Sequence, residues 1–253
     1  MKTELRNGLL LLLGVLLGAN RVWAEAPDPR WSVGVAGIYR SQPYRGVDDD
    51  WLVFPSLRYE GERLRLRGPE LSYRMFELSG VRLDLLAKMR FDGYQAKDSR
   101  FLQGMADRHP SLDFGLRAGV RWKRSVIEAV ALHDTLSQHE GSELALNWRL
   151  PLRKAGWNIL PEIGISRLSP DLANYYYGVR SSEARPGRFV YRVGAAYNAH
   201  LALVLQKPLG PRWSAFLRAE LTRLDAALHA SPIVDRRTMS SALLGIDYAL
   251  GSD

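Results

Sequence analysis

The sequence predicts an all-β protein: an antiparallel transmembrane β-barrel of 12–14 strands behind a cleaved signal peptide. Three observations predict it. The chain opens on a basic segment followed by a short apolar run, its body alternates apolar and polar residues over long stretches, and aromatic rings gather at the ends of those stretches. The 253 residues are 46% hydrophobic and 25% charged, with no cysteine, which excludes a disulfide framework, thiolate metal sites and a cysteine nucleophile. The formal charge is +8, and only six of the 35 basic residues are lysine. Such a chain suits nucleic acid or an anionic membrane surface. An export signal removes the first of these, so no nucleic-acid partner is expected.

That signal is residues 1–24. Lys2 and Arg6 precede the apolar stretch from Gly8 to Gly18, and Val22-Trp23-Ala24 places small residues before a cut at Glu25. The apolar run is about half of what a membrane-spanning helix needs. Residues 25–253 are then the mature barrel, with no second domain, repeat or long linker.

Candidate strands are 31–40, 51–60, 62–68, 70–77, 80–91, 111–122, 125–133, 142–151, 156–167, 174–180, 188–198, 200–208, 212–222 and 238–250. In 111–122 one face carries Leu112, Phe114, Leu116, Ala118, Val120 and Trp122; the other carries Asp113, Gly115, Arg117, Gly119 and Arg121. The segments 80–91 and 212–222 alternate in the same way. A soluble β-sandwich would bury such apolar faces against each other, whereas a membrane barrel turns them to lipid. Segments of 10–12 residues, repeated charge on the polar faces, and rings such as Trp31, Trp51, Tyr59, Trp157, Trp213 and Tyr248 near strand ends favour the barrel. An even strand count with both termini in the periplasm puts 41–50, 92–110, 134–141 and 223–237 outside. The location this implies is the outer membrane of a Gram-negative bacterium. The closing strand carries Gly245, Leu244, Ile246, Tyr248 and Leu250, similar to the terminal signal read by barrel-assembly machinery, with Leu250 where an aromatic is usual.

Several phrases occur together in a familiar order. Ser41-Gln42-Pro43-Tyr44-Arg45-Gly46 leads to Asp48 and Asp49, then Phe54-Pro55 and Tyr59. Gly93-Tyr94, Leu102-Gln103-Gly104-Met105 and Arg108 follow. Further on come Pro161, Leu168-Ser169, Asp171, Tyr175-Tyr176-Tyr177-Gly178-Val179 and Glu183-Ala184. Between about residues 31 and 250 this pattern resembles the MipA/OmpV family of outer-membrane proteins. The resemblance implies a barrel without known catalytic chemistry or cofactor, and a scaffolding role that bridges a lytic transglycosylase and a murein synthase. It marks Pro43, Tyr44, Gly46, Tyr176, Tyr177, Gly178 and Val179 as family-motif positions.

Side-chain chemistry leaves other readings open. Arg63, Arg65, Arg67, Arg82, Arg90, Arg117, Arg121, Arg149, Arg192 and Arg218 fall on polar faces, interleaved with Asp84, Asp113, Glu143, Glu162 and Glu220. They line either an anion-preferring pore for small solutes or a barrel plugged by Arg–carboxylate pairs. Arginine near the outer rim suits lipopolysaccharide phosphates, so outer-membrane lipid and lipopolysaccharide are expected partners. His133-Asp134 and His139-Glu140 are the one His–carboxylate cluster, and the alternative they carry is a lipid-acting enzyme, a phospholipase or lipid A deacylase. Neither an H-E-x-x-H nor a G-x-S-x-G motif is present, so no catalytic or metal residue is assigned. Tyr175 to Tyr177 suit a girdle strand end or a stacking surface, and Asp48 to Asp50 a solvated turn or a divalent-cation site.

Overall fold

The computed structural model describes residues 30–251; the expected export segment 1–24 lies outside them. Alternating residues give strands because one face can turn to lipid while the other turns inward. The strands are β1 (Arg30–Arg40), β2 (Asp50–Glu60), β3 (Leu64–Arg67), β4 (Glu70–Leu78), β5 (Val81–Arg90), β6 (Ser111–Trp122), β7 (Ser125–Asp134), β8 (Ser142–Arg149), β9 (Leu152–Lys154), β10 (Trp157–Leu168), β11 (Ala196–Pro208), β12 (Trp213–Arg223) and β13 (Thr238–Leu250). All pair antiparallel in one sheet, and β13 returns to β1 from Trp31↔Leu250 to Arg40↔Ser241. The barrel is therefore closed. Both β8 and β9 lie on β10, either side of Leu150-Pro151, so they form one wall strand that proline interrupts. Thirteen strands thus make a twelve-position wall, at the lower bound of the expected count.

Two expected strands are absent as strands. Segment 174–180 belongs largely to a helix, α1 (Pro170–Tyr177), whose N-terminus is capped by the Ser169 hydroxyl with Pro170 in the first turn. The Ser-Pro-Asp sequence starts a helix more strongly than the tyrosine run favours a strand. Most of 188–198 is loop, and pairing begins only at Ala196, where β11 continues without a break through the expected 200–208 strand.

The long connections 41–49, 91–110, 135–141, 169–195 and 224–237 all leave from one end, and a second short helix, α2 (Ala226–His229), sits in the last of them. Turns at 61–63, 79–80, 123–124, 155–156 and 209–212 close the other. Long loops mark the outer end and tight turns the periplasmic end. Aromatic pairs sit at both rims: Tyr39–Trp51 at the outer one, with ring centroids 4.9 Å apart, and Trp31–Tyr59 and Trp213–Tyr248 at the periplasmic one, 4.7 and 5.0 Å apart.

Burial is inverted relative to a soluble domain. The outward rows of the wall are apolar and exposed, as at Val35 (59%), Ile163 (55%) and Leu201 (57%), while Asp84, Asp113, Glu162 and Asp247 are buried inside. A large cluster of buried apolar side chains does exist, and it is built mainly by the outer loops.

Candidate functional site

The outer loops meet over the barrel mouth as a packed roof. Tyr44, Tyr94, Leu102, Met105, Leu172, Tyr176, Tyr177, Val179, Leu228 and Ile233 are all buried in it. Tyr44 is its hub: the ring lies edge-on to Tyr94 at 4.6 Å and stacked near Tyr177 at 6.2 Å, and its backbone bridges to Val234. Four separate loops are joined at that one residue, two of them through its ring and one through its backbone. Burial pushes the Tyr44, Tyr94 and Tyr177 hydroxyls well above the ordinary tyrosine range.

One ion pair locks the roof. Arg108 Nη2 donates to both carboxylate oxygens of Glu183 at 2.9 Å, with both side chains almost fully buried. The same guanidinium donates to the Tyr175 carbonyl at 2.5 Å and to the Ala106 carbonyl at 2.7 Å, and it lies near the Tyr94 and Tyr175 rings. Glu183 also accepts from the backbone N–H groups of Ala106 (3.1 Å) and Arg180 (2.9 Å). Burial alone would raise the Glu183 pKa, but these N–H groups and Arg108 outweigh it, and the carboxyl is held below its usual range. Arg188 then ties residues 101 and 103 to Glu183 through backbone carbonyls.

Beneath the roof, ion pairs run around the inner wall in a continuous belt. Glu70 accepts from Arg117 at 2.7 Å, Arg117 lies 3.3 Å from Glu128, and Glu128 accepts from Arg149 at 3.0 Å. Arg149 also pairs with Glu162, which accepts from Arg218 (3.1 Å) and faces His200 (3.2 Å); Arg218 then reaches Glu220 at 2.6 Å. The belt runs from β4 to β12. Nearer the roof Arg90 bridges Asp113 (2.7 Å) and Glu143 (2.6 Å), while toward the periplasmic turns Arg82 holds Asp84 and Arg58 pairs with Asp247 at 3.1 Å. Each of these carboxylates has a guanidinium beside it, and removing either partner would leave an unbalanced buried charge.

The arginines singled out from the sequence divide accordingly. Arg82, Arg90, Arg117, Arg149 and Arg218 join these inner pairs. Arg65 and Arg67 share Glu60, the latter through two bonds of 2.5 and 3.0 Å. Arg121 sits at the periplasmic end of β6, while Arg63 lies in the turn before β3 and Arg192 in the outer loop before β11, so these last two are not in the wall. The family-motif residues Tyr44, Tyr176, Tyr177 and Val179 converge on the roof, joined by the Gly178 cap of α1 and the Pro43 and Gly46 loop.

The histidine cluster does not converge. His133 is on the outward face of β7, and His139 is buried beneath the loop. His139 Nδ1 accepts the Gly141 N–H at 3.1 Å, so the hydrogen-bond network puts the proton on Nε2, which faces Ser111 Oγ and Asp113 Oδ1 at 3.1 Å each. That nitrogen has no lone pair with which to activate Ser111. Asp113, Asp134 and His139 also place ligand atoms within 4.8 Å of one another. Asp134 spends both oxygens on the N–H groups of Leu136, His139 and Glu140, and Arg90 sits against Asp113, so the group is already neutralised. Two of the three aspartates at 48–50 are likewise engaged: Asp49 accepts from Tyr39 (2.7 Å) and Arg236 (2.5 Å), and Asp50 from Arg40 (3.1 Å).

A closed antiparallel barrel with a lipid-facing apolar wall, ionised interior and aromatic rims is an integral β-barrel of the outer-membrane type. The chain belongs to the MltA-interacting protein MipA family, whose model matches residues 33–250. It is 26% identical over 210 residues to outer membrane protein Omp26La of Vibrio anguillarum, covering 82% of each chain. It is 27% identical over 242 residues to the MltA-interacting protein of Escherichia coli strain K12, covering 94% of this chain and 97% of that one. Among solved structures, the NanC porin is similar at 11% identity with a TM-score of 0.45, covering 86% of this chain and 100% of the porin. The protein is thus located in the outer membrane of a Gram-negative cell.

Proposed function

We propose that this barrel is a non-enzymatic docking platform for murein-processing enzymes, among them a lytic transglycosylase and a murein synthase, and that it does not work as an open pore. The observation that carries the reading is the double closure. A packed roof covers the outer mouth, and paired Arg and carboxylate side chains crowd the inner wall below it. The related Escherichia coli protein bears the name MltA-interacting protein, which gives the partner class.

A partner in the periplasm meets the opposite end, which consists of tight turns. There Lys123 and Arg124 in one turn and Arg153 and Lys154 before the next are all exposed, and no carboxylate lies in residues 121–125 or 150–157. Lys123 covers the Trp122 ring at 5.3 Å and Lys207 the Trp157 ring at 5.0 Å, which fixes this basic crescent just beyond the aromatic rim. A partner with an acidic surface is steered to such a crescent. In the same reading, membrane lipid and lipopolysaccharide surround the wall. The test is crosslinking in growing cells, followed by capture of the barrel. Recovery of murein-cleaving and murein-building enzymes is expected; their absence under growth conditions would overturn the proposal.

A further inference from the structure

The wall has a gap. β2 pairs with β1 along its whole length, from Arg30↔Glu60 to Arg40↔Asp50, but with β3 at only three positions, Arg58↔Arg67, Tyr59↔Leu66 and Glu60↔Arg65. Among the described residues, no strand pairs with 50–57 on their second side. The cause is the short β3–β4 hairpin, which turns back at Gly68-Pro69. On its far side the hairpin reaches almost to the top of β5, through Glu70↔Lys88 and the Met89 N–H to Pro69 carbonyl bond of 2.9 Å. The opening is thus a slot flanked by the free edge of β2, with the hairpin tip as its floor.

A single side chain closes it above. Arg40 Nη2 donates to Asp50 at the head of β2 (3.1 Å), and Arg40 Nη1 donates to the Phe91 carbonyl just past β5 (3.2 Å). Behind this clasp lies a cavity of about 160 Å³ lined by Arg40, Tyr44, Phe91, Tyr177 and Met239 among others.

The chemistry of the slot differs from that of the other walls. An alternating barrel strand puts polar residues inward, yet upper β2 is apolar on both faces: Trp51 and Val53 point outward, Leu52 and Phe54 inward. Trp51 and Val53 are 75% and 74% exposed, and inward-facing Leu52 is still 59% exposed. Ile38 and Leu243 extend the apolar strip along the inner wall beside it. Pro55 lies in the free stretch and has no N–H to offer a neighbouring strand, a residue found at sheet edges rather than in paired centres. The remaining edge groups require water, which an ionised lumen supplies.

From this geometry we infer that the slot is a lateral window that admits an acyl chain of an outer-leaflet lipid into the upper lumen. Length favours that occupant. Eight residues at roughly 3.3 Å each, tilted about 45°, span a height of about 19 Å, against about 15 Å of hydrocarbon in one leaflet. Added protein strands fit less well, because the proline breaks the ladder they would need and a gap left by a missing hairpin top calls for two of them.

The test is photolabelling. The full chain is refolded into phosphatidylcholine–phosphatidylglycerol vesicles containing a phospholipid with a mid-chain diazirine, irradiated, and mapped by mass spectrometry. Leu52 and Phe54 should be labelled alongside outward Val53, while Ala145 and Ala202, which face the lumen behind fully paired strands, stay clean. In Arg40→Ala, labelling at Leu52 and Phe54 should rise with Val53 unchanged. Label on Val53 but none on Leu52 and Phe54 would overturn the window, and an unaltered pattern in Arg40→Ala would overturn the clasp. Neither outcome depends on whether the barrel binds murein enzymes, since the vesicles contain none.

Discussion

The two ends of this barrel are built by opposite means. The outer end spends its long loops on a buried aromatic cluster and a desolvated ion pair, whereas the periplasmic end is a ring of tight turns that buries little and exposes Lys123, Arg124, Arg153 and Lys154. Apolar surface removed from water makes the first end rigid and shut. Exposed cations leave the second end free to attract, at little cost in stability. If the proposed platform is right, length of loop is no guide to where the protein meets its partners.

The strongest way to break this contrast is to open the roof. Arg108→Ala leaves Glu183 buried without its cation, a loss of about 3–5 kcal/mol for a pair so enclosed. Trypsin should then cut the 91–110 and 178–195 loops quickly while the wall resists, and ion leak should appear. Next in size is the other end. Replacing Lys123, Arg124, Arg153 and Lys154 together by Gln should lower capture of murein enzymes by about tenfold or more through lost electrostatic steering, with the folded barrel intact on gels. Equal capture by the variant would move the partner surface elsewhere.

Acid offers a graded test of the same roof. Because the Glu183 pKa is depressed in the folded state, its contribution is fully present above the unfolded value of about 4.3 and is lost as pH falls through the lower folded value. Loop protection from an acid-active protease should hold through mildly acidic conditions and fail only below that point, whereas Glu183→Gln should be less protected already at neutral pH and lack that acid step. The smallest effect belongs to the belt. Added to Arg108→Ala, Glu162→Ala deprives Arg149 and Arg218 of a shared carboxylate, so the leak should favour anions more than in Arg108→Ala alone.

The wall was open to reading because alternation is a local property: Leu112 through Trp122 declares its lipid face without reference to any other strand. The roof was not. Its helix is signalled by Ser169-Pro170-Asp171, yet the adjacent tyrosines carry a strand preference, and only packing against Tyr44, more than a hundred residues away, shows what they do. Arg108 and Glu183 both lie in segments that carry the family resemblance, but their pairing needs two loops folded over one mouth. The window is a matter of register. A short 62–68 and 70–77 hairpin is visible in the sequence, but how far below Asp50 it ends depends on the Arg58↔Arg67 pairing.

Planar-bilayer recording of the refolded protein tests the double closure most directly. A membrane holding many copies of the intact barrel should show a flat trace at neutral pH, with current appearing only in Arg108→Ala. Discrete, long-lived conductance steps from the unaltered protein would contradict the account.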